Sequence, residues 1–233
     1  MQYRYRIPNF LPSTNGFPFP NSYPVGNPVI LAETPFGDLR AGDASRGLCG
    51  GMIFTVIDLY IFGIQPVPKE PTPQVFRYFC KRLMSSWNLP FGGVKYYDWQ
   101  VRSGSSRIVG GVRLRKGLSY LTIAEEWPKI RAALDSGMPT AVGLVKVSGY
   151  NPLRLGENHQ VLAYGYTYDD DAGELTIDLY DPNYPGDDTC TLRINTLNPD
   201  TERPVFHSCE GPSVRGFFFT EYRRPAVAPQ LND

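Results

Sequence analysis

Gly47-Leu48-Cys49-Gly50-Gly51-Met52, continued by Ile53-Phe54-Thr55-Val56-Ile57-Asp58-Leu59-Tyr60-Ile61-Phe62, carries the reading of this chain. Only Thr55 and Asp58 interrupt the apolar run, so the pattern predicts a helix buried on all sides at the centre of a core. Cys49 falls at the start of that helix, where unpaired N–H groups and partial positive charge favour a thiolate. Glycine in a helix costs about 1 kcal/mol relative to alanine, so Gly50 and Gly51 predict a close approach of backbone or ligand. The plainer reading is a small core cysteine after a glycine turn, since free cysteine is among the most buried residues.

Working outward, 233 residues are enough for one sizeable core. With 42% hydrophobic and 20% charged residues, the composition is that of an ordinary globular chain. The 23 basic and 23 acidic residues balance, which argues against a general nucleic-acid binder. No window approaches the length of a transmembrane span, and Met1 to Pro8 lacks an apolar signal core. A cytoplasmic location is therefore expected, with delivery by a non-classical route as the alternative. Four cysteines (49, 80, 190 and 209) are too few for a disulfide framework. A Cys190–Cys209 bridge is the less favoured state of that pair on redox-compartment grounds.

Residues 1–42 read as an extended arm rich in proline and aromatic residues. Prolines 8, 12, 18, 20, 24, 28 and 35 block helix, while Tyr3, Tyr5, Phe10, Phe17, Phe19, Tyr23 and Phe36 need burial. The arm is expected to be pinned across the domain surface by its rings; a segment occluding the site is the alternative. Residues 43–225 form the main domain and 226–233 a tail. Thr72-Pro73 opens a second helix, about 73–87, with Val75, Phe76, Phe79, Leu83 and Trp87 at helical spacing and Cys80 in its core face. Arg102, Arg107, Arg113, Arg115 and Lys116 have no acid among them and read as a solvated basic loop, or else an anionic subsite. Thr122 with Glu125 resembles a capping box opening a third helix through Trp127, Ile130 and Leu134.

The pattern then changes period. Strands are predicted over 140–147, 160–168 and 174–181, with Asp169 to Gly173 as the hairpin turn, and further strands near 189–194 and 214–222. Helices followed by an antiparallel sheet make an α+β domain. His159, one of two histidines, opens a strand, and Asp181 closes the next. Pairing about the hairpin brings them to one open end of the sheet. A carboxylate fixes an imidazole tautomer, and the other ring nitrogen can take a thiol proton. If the Cys49 helix crosses the sheet with its start at that end, Cys49, His159 and Asp181 form a triad. Taken singly, His159 also reads as a strand-edge histidine and Asp181 as a turn-forming Asp-Pro.

Cysteine at a helix start, histidine on a strand, then aspartate one strand on resembles the papain-like cysteine peptidase fold. Leu-Cys-Gly-Gly-Met, Asn-His-Gln-Val-Leu-Ala-Tyr-Gly-Tyr and Leu-Tyr-Asp-Pro-Asn resemble the bacterial leader-cleaving, bacteriocin-processing peptidases. The likeness covers about residues 43–195, including the passage from Trp127 to Val145. It implies a nucleophile helix packed on a C-terminal antiparallel sheet, with Cys49 as nucleophile, His159 as general base and acid, and Asp181 as orienter. The family's oxyanion glutamine, six residues before the cysteine, is Asp43 here, and an ionised carboxylate cannot donate. Asp43, Ser45, Gly50 and Asn183 are the near-site candidates.

Three activities are thus expected of such a site: hydrolysis of a peptide or amide through a thiol acyl-enzyme, acyl transfer or deamidation by the same triad, or binding without catalysis. No cofactor is expected. A metal is not either, because His207-Ser208-Cys209 supplies one close ligand pair and no CxxC accompanies it.

Overall fold

The structure is a computed structural model that describes residues 1–34, 37–86 and 91–231. It begins with strand β1 (Gln2–Arg6) and a helical turn, α1 (Pro12–Asn15), followed by the hairpin β2 (Val29–Thr34) and β3 (Gly37–Ala41). A 3-10 turn (Ala44–Arg46) leads into α2 (Cys49–Phe62), then α3 (Pro73–Ser86) and α4 (Phe91–Gln100). The hairpin β4 (Arg107–Val109) and β5 (Val112–Arg115) precedes α5 (Leu118–Tyr120), a π turn (Leu121–Glu126) and α6 (Trp127–Asp135). The remainder is β6 (Thr140–Val145), β7 (His159–Asp169), β8 (Glu174–Tyr180), β9 (Thr191–Asn195), β10 (Val205–His207), β11 (Gly211–Val214) and β12 (Gly216–Thr220). The fold is α+β, as expected.

One sheet runs β11-β10-β9-β8-β7-β6-β12, with β1 added beside β7. Eleven-residue β7 serves two neighbours along one edge: β6 pairs residues 159–163 and β1 pairs residues 165–169. Helix α2 packs on β7 and β6. From Gly50 to Leu59 every residue of α2 is buried, as its pattern requires. Its one charged residue, Asp58, is satisfied from outside the helix. Arg82 Nε lies 2.8 Å from it, and the hydroxyls of Tyr78 and Tyr222 donate at 2.9 and 2.6 Å. Buried charges are tolerated when paired and hydrogen-bonded in this way.

Gly51 explains the close approach of α2 and α3. A Cβ there would sit 2.1 Å from the carbonyl oxygen of Phe79 on α3. Helix α3 begins and faces inward as predicted, with the Val75 N–H donating to the Thr72 hydroxyl at 3.3 Å and Val75, Phe79, Cys80 and Leu83 buried. Trp87, expected at its end, lies outside the described residues.

Other expectations require correction. The N-terminal segment is built into the core rather than laid over it, with β1 in the sheet and Ile7, Phe10 and Phe17 buried beside α2 and β7. Strand pairing was not visible in its aromatic alternation because prolines dominate the residues that follow. Leu231, in the stretch read as a tail, is also buried. The third helical run begins at Leu118, and Thr122 lies inside the π turn instead of capping it. Its hydroxyl instead accepts from the Phe217 N–H of β12 at 3.2 Å, so a tertiary bond uses the oxygen that a capping box would need. The basic residues between 102 and 116 flank or belong to an exposed hairpin. Acids outside the stretch partner three of them: Asp98, one helical turn before, with Arg102; Glu125, nine residues on, with Lys116; and the distant Asp200 with Arg113.

Candidate active site

Register decides which side chains meet. From Asp169↔Glu174 to Gly165↔Asp178 the β7–β8 pairs keep one sum, but Ala163 faces Leu179 and Leu162 faces Tyr180, so one residue of β7 is extra. This bulge falls at Tyr164, whose carbonyl is taken by the Ile7 N–H at 2.8 Å. A one-residue slip moves every later side chain to the other face of the partner strand. Continued one step beyond Tyr180, Asp181 stands opposite Val161 and shares the face of His159. Without the bulge it would share the face of Gln160. The hairpin length alone therefore would not have joined His159 to Asp181.

The two residues are in contact. His159 Nε2 lies 2.8 Å from Asp181 Oδ1, and both side chains are buried. That leaves Nδ1 on the side away from the carboxylate, and the Cys49 thiol and the His159 ring each shift the other's titration. Cys49 itself is half-buried, unlike the fully buried Cys80. The start of α2 thus lies at the end of the sheet where His159 and Asp181 meet.

Electrostatics favour an ion pair. Burial pushes the Cys49 thiol up, but the His159 ring and the backbone N–H groups of Gln160 and Gly50 outweigh it, so the thiol falls below its ordinary range. Burial pushes His159 down, and the Asp181 carboxylate together with Cys49 overcomes it, raising the ring well above its usual value. Burial would raise Asp181, but His159, then His207 and the Asn183 N–H, hold it well below the carboxylate range. The Asn183 N–H donates to Asp181 Oδ1 at 2.9 Å.

The near-site candidates fall into distinct places. Asp43 caps the 3-10 turn, with Oδ1 accepting from the Ser45 N–H at 2.9 Å and Oδ2 from the Gly26 N–H at 3.2 Å. Its carboxylate thus holds loop backbone. Ser45 is exposed on that turn. Gly50 is packed so tightly that a Cβ would lie 2.2 Å from both Gln160 Oε1 and Ser86 Oγ. Asn183 supports Asp181 through its backbone and accepts from Asn21 Nδ2 at 3.3 Å.

Two residues near the site escaped the sequence reading. Asn21, in the N-terminal segment, accepts the Leu48 N–H at 2.6 Å while its own N–H donates to Pro182 O at 2.8 Å. No local pattern marks it, because both partners are distant in sequence. His207 is fully buried, with Nε2 3.1 Å from Asp181 Oδ2. In the sequence its one signal is that it is one of only two histidines, beside a cysteine two residues on.

Cys190 and Cys209 form a disulfide, with Cα atoms 6.2 Å apart where the β9 start meets the turn after β10. Redox-compartment grounds disfavour this pairing, but the sheet brings the two residues together. Asp187 lies beside both sulfurs, but sulfurs bonded to each other are not thiolate donors for a metal. Asp169, Asp170 and Asp171 also cluster, with the Met1 ammonium among them. Among the described residues no helix is long and apolar enough to cross a membrane.

No protein-family model matches this chain, and searches of curated proteins and of solved structures each return no match.

Proposed function

We propose that the chain is a cysteine-dependent hydrolase with the papain-like arrangement, cleaving a peptide or related amide through a thiol acyl-enzyme. One observation supports the reading: Asp181 fixes one nitrogen of His159 at 2.8 Å, and the same ring lowers the Cys49 thiol. A nucleophile, a base within hydrogen-bond reach and a third group orienting that base are what covalent acyl transfer needs.

In the proposed reaction the Cys49 thiolate attacks the substrate carbonyl while His159 holds the proton. The charge developing on the carbonyl oxygen meets the start of α2, where the Cys49 N–H has no intrahelical acceptor. The Leu48 N–H is committed to Asn21 and does not serve this role. His159 next gives its proton to the leaving amine, and the acyl group remains on Cys49. Water, deprotonated by His159, then attacks the thioester, releasing the acid and restoring the ion pair. Asp181 keeps the ring in one tautomer throughout and takes no proton. Because Asp43 is engaged with loop backbone, backbone donation replaces the side-chain donor of the family pattern.

The test is to incubate the protein with a peptide library and resolve intact mass after acid quench. The expected result is an acyl adduct on Cys49, absent from Cys49→Ala and decaying in water to free acid. Cleavage that persists in Cys49→Ala would remove the proposal. Adduct transfer to an added amine in preference to water would redirect it to acyl transfer.

A further inference from the structure

Three features outside the triad invite a role: the exposed β4–β5 hairpin, the Asp187–Cys190–Cys209 cluster and the buried His207. Nothing among the described residues shows what would cover the hairpin, and the cluster's sulfurs are bonded to each other. His207 carries an argument.

Its ring is fully enclosed and polar at both nitrogens. The Cys209 N–H points at Nδ1 from 3.2 Å, so Nδ1 must be an acceptor and the ring proton must sit on Nε2. Nε2 faces Asp181 Oδ2 at 3.1 Å, obliquely enough that neither atom has a well-formed hydrogen bond. Neither has another partner among the described residues, so each is the other's only one. Asp181 Oδ1 is already shared by His159 and the Asn183 N–H, which leaves Oδ2 to His207.

The mount is rigid. Cys209 is bonded to Cys190, the Ser208 N–H donates to Thr191 O at 2.9 Å, and the Glu210 N–H donates to His207 O at 3.2 Å. Among the described residues, the other titratable groups around this pair include Tyr180, next to Asp181, Cys49 beyond His159, Tyr184, with its ring centroid 6.2 Å from that of His207, and Glu210, which is bound to Lys146 at 2.6 Å.

Building on the hydrolase reading, we infer that His207 is a positioning residue: through its Nε2–H it holds Asp181 ionised and aimed at His159, making the array Cys49–His159–Asp181–His207. A buried carboxylate with an orphaned oxygen is costly, and hydrogen bonds to its charged form are what keep it ionised. Without the His207 donor, Asp181 supports the imidazolium less well, and the thiolate forms at higher pH.

The experiment follows the pH dependence of Cys49 alkylation by iodoacetamide in the wild type, His207→Leu and His207→Gln. We expect the His207→Leu midpoint to rise by about one pH unit, roughly tenfold less thiolate on the acid limb. His207→Gln, which keeps an N–H donor, should stay within about 0.3 unit. A merely structural role would lower thermal stability in both variants and leave the midpoints unmoved, and that result would overturn the inference alone. Unselective labelling in the wild type would remove the hydrolase reading and the inference with it. If His207→Leu does not fold, the wild-type ring decides: nitrogen NMR should find His207 protonated at Nε2, and protonation at Nδ1 would overturn the proposal.

Discussion

Asn21 accepts the Leu48 N–H at 2.6 Å and so fixes the residue before Cys49. The same side chain donates to Asn183, two residues past Asp181, and its backbone N–H donates to Pro182 O. One asparagine thereby ties the start of α2 to the turn that carries the carboxylate. It also explains Gly47, where a Cβ would lie 2.4 Å from Asn21 Nδ2 and φ is +88°.

Asn21→Ala should therefore lower stability by about 1–3 kcal/mol, because a backbone donor loses its acceptor beside a buried Leu48. It should also slow Cys49 alkylation at pH 6 several-fold by loosening the register between Cys49 and His159. Asn21→Asp keeps the acceptor and should do less on both counts. Thermal unfolding and labelling rates check this; equal losses in both variants would contradict it.

The two glycines after Cys49 make contrasting predictions. Gly51→Ala pushes a methyl to 2.1 Å from backbone on α3, which can yield only by moving a helix. A loss of about 3 kcal/mol is expected, the upper end for overpacking. Gly50→Ala meets the ends of Gln160 and Ser86, which can swing aside, so it should cost less stability yet disturb Cys49 labelling more. Denaturant melts of the two variants should rank them in that order. The reverse ranking would mean that α2 and α3 are not in backbone contact there.

How far this arrangement could be read from the sequence follows from range. The α2 helix, α3 with its Thr72 cap, and strands β6 to β8 announce themselves through local periodicity, and they were legible. Placing His159 and Asp181 at one end was legible too, although the Tyr164 bulge that puts them on one face was not. Gly165 beside it is a strand glycine where a Cβ would approach Asp178 Oδ2 to 2.7 Å, the kind of mark that a bulge leaves. What stayed hidden depends on distant partners: β1 in the sheet, Thr122 serving β12, Asn21 at the start of α2, His207 behind Asp181. Short strands such as β10, three residues long, offer too few positions for alternation to show.

The His159–Asp181 pair should leave a signature in stability against pH. His159 is raised in the folded state, so its contribution is complete below the unfolded value of about 6.5 and is lost as pH rises toward the raised one. Asp181 is depressed, so its contribution is present above about 3.9 and is lost as pH falls toward its lowered value. In a Cys49→Ala background, which removes the thiol's own titration, the melting difference between Asp181 and Asp181→Asn should peak at about pH 4–6.5. It should shrink on the alkaline side. A difference flat from pH 5 to 9 would show that the pair is not an ion pair.

The thiolate of Cys49 is the centre of the account, and its reactivity tests it most directly. Cys49 is half-buried beside His159, Cys80 is enclosed and pushed up by burial, and Cys190 and Cys209 are bonded to each other. Iodoacetamide at pH 6, read by peptide mass mapping, should label Cys49 far ahead of Cys80 and leave the bonded pair untouched. His159→Ala should slow that labelling on the order of tenfold or more, since a partner worth one pKa unit changes the thiolate fraction tenfold. Labelling of Cys49 no faster than Cys80, or unchanged by His159→Ala in a folded protein, would contradict the catalytic account.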